Sequence, residues 1–255
     1  MYSIESIING NYSEMRDFFK TKGHTTDRKG ERNMAKHLPE AYEGTLRKHF
    51  LRVPEAIYEC SGIVVFGKRI KSVVFTTDLS IIRNVNADAC IAVYPFTPQP
   101  VITQALLLAA DIPVFVGVGG GITTGKRTVN MAMYAEMQGA SGVVLNSPTE
   151  NDVIEQVAEM VDIPVIITVT RPDTDIGKRV SAGASFVNVS VAAKTPEVVA
   201  RIRSEFPELP IIATGGPTDE SIHATIAAGA NAITWTPPSS AEILSDIMRS
   251  YREQP

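Results

Sequence analysis

Three charged side chains stand where they could act on a small molecule: Asp78, Lys126 and Arg171. Asp78 closes the apolar run "SVVFTTD", Lys126 lies in "VFVGVGGGITTGKRT" (residues 114–128), and Arg171 follows "PVIITVT". A lone carboxylate at a strand end in a partly apolar mouth can have its pKa raised toward use as a general base. The same Asp78 could instead cap the helical pattern "LSIIRNV". Arg171 could clamp a carboxylate or phosphate through two parallel N–H bonds, or pair with Asp173 or Asp175. In the glycine loop, Gly119, Gly120, Gly121 and Thr123 let the backbone approach a ligand, with Lys126 near the start of the following helix. The alternative is a tight strand-to-helix turn whose Lys126 and Arg127 face water. A nucleotide-binding P-loop requires Ser or Thr directly after Gly-Lys to reach magnesium, and here Arg127 holds that place while Thr128 comes one residue late.

Other chemistries find less support. A Schiff-base aldolase needs a desolvated lysine, usually on a strand, and none of the apolar runs contains one. There is no G-x-S-x-G, and the histidines are His24, His37, His49 and His223, with neither H-x-H nor H-E-x-x-H. Cys60 and Cys90 have no metal-site or disulfide spacing. No metal is expected.

The elements that must position these residues form a repeat. From residue 71 onward, β-branched runs alternate with helical patterns: "SVVFTTD", "ACIAVYP", "PVFVGVG", "GVVLNS", "PVIITVT", "FVNVS", "PIIATGG" and "AITWTP". Near-continuous apolar runs of this length suit parallel strands buried on both faces. Their lead-ins alternate. "DIPVFV", "DIPVII" and "ELPIIA" begin at residues 111, 162 and 208, and "GASGVV", "GASFVN" and "GANAIT" at 139, 183 and 229, a spacing of 44 to 51 residues. Proline sets an extended entry and glycine supplies a left-handed helix cap, so the repeating unit is βαβα. Eight βα units predict an α/β fold of the closed (β/α)8, or TIM barrel, type, grown from quarter-barrels. In "TENDVIEQVAEMV", Val153, Val157, Met160 and Val161 share the expected core face behind an N-cap at Thr149 or Asn151.

Residues 1–70 lie outside the repeat and predict an N-terminal extension on a one-domain barrel at 71–255: an amphipathic helix near 3–20, a helical stretch near 40–60, and a hairpin "GIVVFGKRIKSVVF" that plugs the barrel bottom. Between them, the basic stretch 20–37 reads as a solvated arm, as a lid bringing Lys22, His24, Arg28 or Lys29 to an anionic ligand, or as an arm against another subunit.

Active sites of such barrels lie at the C-terminal ends of the strands. There the sequence places Thr76, Thr77 and Asp78, Tyr94 and Thr97, Asn146 and Ser147, Thr168, Thr170 and Arg171, Asn188 and Ser190, Thr214, Thr234 and Thr236. This mouth is rich in hydroxyls and poor in charge.

"LPIIATGGPTDESIHATIAAGANAIT" resembles the seventh and eighth units of the phosphate-binding (β/α)8 barrels, the group of 2-keto-3-deoxy-6-phosphogluconate aldolase, the tryptophan and histidine pathway barrels and several FMN enzymes. The resemblance implies a phosphate between the seventh-strand turn, here Thr214, Gly215 and Gly216, and a short helix after strand eight. The chain departs from that pattern at "TPPSS", since Pro237 and Pro238 have no N–H. Donors there come from Ser239, Ser240 and the amides opening the last helix.

Composition agrees with a small-molecule protein. Of 255 residues 44% are hydrophobic, and the formal charge of -4 gives no general attraction to nucleic acid or anionic lipid. No apolar run spans a membrane or forms a signal peptide, and a cytoplasmic location is expected. The expected partner is a small anionic metabolite, with a homo-oligomer left open. Two kinds of enzyme fit: a lyase or isomerase for a phosphorylated or carboxylated metabolite, using Asp78 as base with Lys126 and Arg171 as electrostatic partners, or an FMN-dependent oxidoreductase. A non-catalytic ligand-binding barrel is the third alternative. No cofactor is required by the first or third.

Overall fold

The computed structural model of the chain describes residues 50–253. The expected helix near 3–20, the basic stretch with Lys22, His24, Arg28 and Lys29, and residues 40–49 of the second helical stretch lie outside the described residues.

The hairpin forms as expected. Strands β1 (Ile63–Val65) and β2 (Lys68–Ile70) pair antiparallel. Between them Phe66 and Gly67 both have positive φ, +46° and +80°, as the central residues of a type I′ turn must. Eight parallel strands then close into a barrel: β3 (Ser72–Phe75), β4 (Ala89–Ala92), β5 (Val114–Gly119), β6 (Gly142–Leu145), β7 (Val165–Val169), β8 (Phe186–Val189), β9 (Ile211–Thr214) and β10 (Ala232–Trp235). β10 pairs with β3 to complete the ring. The helices that alternate with them are α1 (Leu79–Ile82), α2 (Pro100–Ala109), α3 (Gly125–Met137), α4 (Asn151–Met160), α5 (Ile176–Ser181), α6 (Thr195–Glu205), α7 (Asp219–Ala227) and α8 (Ser240–Glu253). The eight apolar runs are these eight barrel strands.

The alternating lead-ins work as their chemistry predicts. Gly139, Gly183 and Gly229, after α3, α5 and α7, all have positive φ, and Pro113, Pro164 and Pro210 stand before β5, β7 and β9. On α4 the expected face is corrected at its ends. Val153, Ile154 and Val157 are buried while Met160 is about half exposed, and the N-cap is Glu150. Thr149 instead donates its hydroxyl to the Asn146 carbonyl at 2.8 Å.

The expected α-helix over 40–60 is absent from its described part. Residues 50–60 hold a bridge of Leu51 to Val85 and one 3-10 turn, Glu55–Glu59. Pro54 keeps its neighbour extended and cannot donate to a preceding turn, which stops a longer helix. This segment still joins the core, since Val53, Ile57 and Cys60 are buried among the residues packed outside the barrel. The Cys60 and Cys90 thiols are free and buried, and burial pushes their pKa values up to about 11 and about 12, so neither is a nucleophile at neutral pH.

Two apolar layers result. Outward residues such as Val74, Val116, Val143 and Ile167 meet the helices. Inward residues, among them Val73, Ile91, Phe115, Ile166, Phe186 and Ile212, fill the barrel together with Ile63, Val65 and Ile70 of the hairpin. The hairpin therefore closes the N-terminal end. None of the residues of α8 is fully buried, and its Leu244, Ile247, Met248 and Tyr251 are exposed. Among the described residues no helix is long and apolar enough to cross a membrane.

Ile70 is 1% exposed in the interior layer. Ile70→Ala should lower the unfolding free energy by about 3 kcal/mol, read as a lower urea midpoint with an unchanged slope.

Candidate functional site

Successive residues of a strand point to opposite faces, so every second residue enters the barrel. Above the inward apolar residues Val73, Val144, Ile166, Phe186, Ile212 and Ala232, the next inward positions are Phe75, Asn146, Thr168, Asn188, Thr214 and Thr234. With Thr170, Ser190 and Thr236 beyond them, these line a cavity of about 230 Å³ at the C-terminal mouth, floored by Ile91, Val93 and Val144. No ionisable side chain lines it.

Asn146 is held by its backbone. Its N–H donates to the Gly119 carbonyl at 2.9 Å, and its carbonyl accepts from the Thr149 N–H at 3.0 Å. That clamp aims the amide side chain into the mouth, where it also borders a cleft and a side cavity. Among the described residues, the side chains of Asn146, Thr168, Thr170, Ser190, Thr214 and Thr236 make no hydrogen bond within the chain. The Thr234 hydroxyl meets Asn188 Oδ1 at 3.4 Å.

The expected general base is elsewhere engaged. Asp78 is the N-cap of α1, accepting from the N–H groups of Ser80 at 2.8 Å and Ile81 at 3.3 Å. Its carboxylate also accepts from the hydroxyls of Ser80 at 2.6 Å and of Ser240. Partial burial pulls its pKa up, but the hydrogen bonds from Ser240, Ser80 and Ile81 together outweigh this and hold it below the ordinary value. The expectation of a raised pKa is thus corrected: four donors favour the charged form. Asp78 lies outside the mouth lining.

Arg171 borders the cleft, a groove of about 830 Å³ that shares Asn146, Thr168 and Thr170 with the mouth. It is bound to Asp173 through Nε at 3.0 Å and a terminal nitrogen at 2.6 Å. This hydrogen-bonded pairing raises the Arg171 pKa and lowers that of Asp173. Lys178 pairs with Asp175 at 3.2 Å. Arg179 donates to the carbonyls of Thr149 and Ser147 and to Asn151 Oδ1. Every cation of the cleft already has an acceptor. Lys126 is exposed on the first turn of α3 and lines neither mouth, cleft nor side cavity.

The glycine loop after β5 is shaped by packing. A Cβ on Gly120, whose φ is +96°, would lie 1.9 Å from the Thr149 hydroxyl and 2.7 Å from the Asn146 N–H. The loop thus allows the two mouth loops to touch. Gly121, beside it, has open space, with only Asn146 Nδ2 at 4.0 Å. Gly119, Gly121 and Thr123 border the side cavity.

The phosphate seat implied after the seventh and eighth barrel strands meets carboxylates instead. Glu242 accepts from the Ser239 N–H at 2.8 Å and hydroxyl at 2.7 Å, and Ser240 donates to Asp78. Gly216 lies against Ser221, which forms a reciprocal cap with Thr218 at the start of α7. Two carboxylates at the expected seat oppose an anion there. The proline-rich turn signalled this departure; the capping Glu242, three residues after Ser239, is a capping-box spacing that sequence inspection could have found. The apolar lining residues Phe75, Ile91, Val93 and Val144 were missed, and the inward phase of their strands would have located them.

No protein-family model matches this sequence, and no curated protein matches it. Solved structures do resemble it. A phosphonopyruvate hydrolase in complex with oxalate and Mg++ aligns with TM-score 0.53 and 12% identity, over 78% of this chain and 82% of its own. A 2,3-dimethylmalate lyase, described as a PEP mutase/isocitrate lyase superfamily member, aligns with TM-score 0.57 and 12% identity, over 78% and 84%. A phosphoenolpyruvate phosphomutase from Streptomyces platensis subsp. rosaceus aligns with TM-score 0.55 and 13% identity, over 77% and 83%. At such identities the likeness is one of fold, an eight-stranded parallel barrel, and the group differs from the one the seventh unit resembles. Among the described residues no group of three or more His, Cys, Asp or Glu could hold a metal ion. Among the described residues, the mouth lining holds no carboxylate oxygen, the ligand that magnesium favours.

Asp78→Ala should cost about 1 kcal/mol through the lost cap, measured by urea unfolding at neutral pH. Because the folded pKa is depressed, this contribution is present above the unfolded value of about 3.9 and is lost as pH falls through the folded pKa. Wild type and variant should therefore converge in strong acid. At the glycine loop, Gly120→Ala should destabilise by about 3 kcal/mol while Gly121→Ala stays within about 1 kcal/mol of wild type, compared by thermal unfolding.

Proposed function

We propose that this chain is a barrel enzyme of lyase or isomerase type that acts on a small phosphorylated or carboxylated metabolite held at the C-terminal mouth. The observation that carries this reading is the ring of unpartnered neutral donors, Asn146, Thr168, Thr170, Ser190, Thr214 and Thr236, around a cavity of about 230 Å³. Hydroxyl and amide groups aimed at one small volume over an apolar floor suit a carboxylate or a developing enolate oxygen. Each hydrogen bond to a charged oxygen there contributes about 1.5–3 kcal/mol. Asn146, whose backbone is held on both sides, needs little reorganisation as charge develops, and so favours the transition state. Arg171 and Lys178 stand at the cleft rim ion-paired with Asp173 and Asp175 and do not enter the mouth. The names of the similar structures, phosphonopyruvate hydrolase, dimethylmalate lyase and phosphoenolpyruvate phosphomutase, support a substrate of this class.

One observation favours a second reading, a ligand-binding barrel without turnover: the mouth lining holds no group that titrates near neutral pH. The flavin alternative has less support. Its phosphate would meet Glu242 and Asp78 beside Ser239 and Ser240.

Titration of the full chain with oxalate, followed by the amide signals of Asn146 and Thr168, tests the site. Asn146→Asp should weaken oxalate binding by about tenfold or more, because it places like charge in an uncharged mouth. Absence of oxalate binding by wild type, or equal binding by the variant, would remove the mouth as an anion site. Incubation of 2-oxo acids with the protein in D2O then separates the two readings. Deuterium gained at C3, beside the keto group, faster than without protein supports the enzyme, and binding without such exchange supports the ligand-binding barrel.

A further inference from the structure

Beside the mouth, and sharing Val93 and Asn146 with it, lies a second cavity of about 180 Å³. We propose that it is a specificity subsite for an apolar substituent of the substrate, a branched alkyl or aromatic group of about six carbons. This rests on the reading of the mouth as the site for the polar end of that substrate.

The walls carry the argument. Tyr94, Phe96 and Pro98 come from the loop after β4, and Ile122 from the loop after β5. Phe96 is 72% and Ile122 84% exposed, and the two loops bring these apolar side chains to the same concavity. Single exposed apolar residues are ordinary, but a pair rimming one cavity marks surface that a ligand covers. The Tyr94 hydroxyl accepts from the Gln99 N–H at 2.8 Å, which satisfies its polar end and leaves the ring as wall. No carboxylate, ammonium or guanidinium lines the cavity. Gly117, Gly119 and Gly121 present only backbone along one side, so the space runs through to Asn146.

Size and polarity then define the occupant. A dry apolar cavity of roughly 150 Å³ accepts one benzene ring, so the volume here suits a group of that order. Thr123, 4% exposed, backs the wall, with its hydroxyl buried behind the cavity surface and without a hydrogen-bond partner. The substrate is accordingly a small acid whose carboxylate or phosphate end meets Asn146 and the threonine ring while its side chain lies between Phe96 and Ile122.

Two probes separate this inference from the reading beneath it. Benzyl alcohol, neutral and of the right size, is titrated into the full chain and followed by the methyl signals of Val93; oxalate is titrated separately. Benzyl alcohol should produce saturable shifts at Val93, and Phe96→Ser with Ile122→Ser should weaken it about tenfold or more while oxalate affinity stays within about twofold. Both side chains are exposed, so the double variant is expected to fold, which its thermal unfolding verifies. Benzyl alcohol that fails to shift Val93, or that binds the double variant as well as wild type, overturns the subsite. Failure of oxalate alone overturns the mouth reading. A preference of wild type for 3-phenyllactate over lactate, abolished in the double variant, is expected if both stand; equal affinity for the two acids overturns the subsite's role in selection.

Discussion

Closure of eight parallel strands into a ring is the constraint on which the rest of this structure depends. Once the ring closes, every second residue of every strand is inside, and its chemistry becomes either core or site according to height. At the lower levels the inward residues are Val73, Ile91, Phe115, Ile166, Phe186 and Ile212, and the hairpin residues Ile63, Val65 and Ile70 complete the packing. Two residues beyond the inward Val144, Ile166, Phe186, Ile212 and Ala232 come Asn146, Thr168, Asn188, Thr214 and Thr234, while β3 and β4 continue apolar with Phe75 and Val93. The mouth is thus the continuation of the core by one step of the strand period, with polarity changed and direction kept.

The charged residues follow a different logic. Asp78, Glu242, Asp173 and Asp175 all belong to loops or helix starts outside the ring, where unsatisfied amides and cations await acceptors. Asp78 and Glu242 close helix N-termini, and Asp173 holds Arg171. Local partners within a few residues cost little chain entropy to engage, so these groups are taken up before a ligand could use them. The interior hydroxyls and the Asn146 amide have no such neighbours. They remain open because the barrel wall separates them from the polar loops.

The glycines after β5 link these two regions. Gly120 lets the loop lie against Asn146 and Thr149, and the Gly119 carbonyl receives the Asn146 N–H. A loop that looks made to hold a ligand anion instead holds the neighbouring loop, and by doing so fixes the side chain common to mouth, cleft and side cavity. Its contribution to the site is positional.

The sequence by itself determined the barrel, because its evidence is local and repeated: apolar runs of strand length, and prolines and left-handed glycine caps in alternation. It also determined that the mouth would be rich in hydroxyls and poor in charge. Only the tertiary structure decided which hydroxyls are free, that Asp78 is a cap, and that Ser239 and Ser240 face carboxylates. The reason is physical. Strand formation depends on neighbours within a few residues, whereas the state of a polar group depends on whatever the closed ring brings against it, and Ser240 meets Asp78 across 162 residues of chain. For the same reason the side cavity between Phe96 and Ile122 exists in no stretch of sequence and arises from two loops that closure makes adjacent.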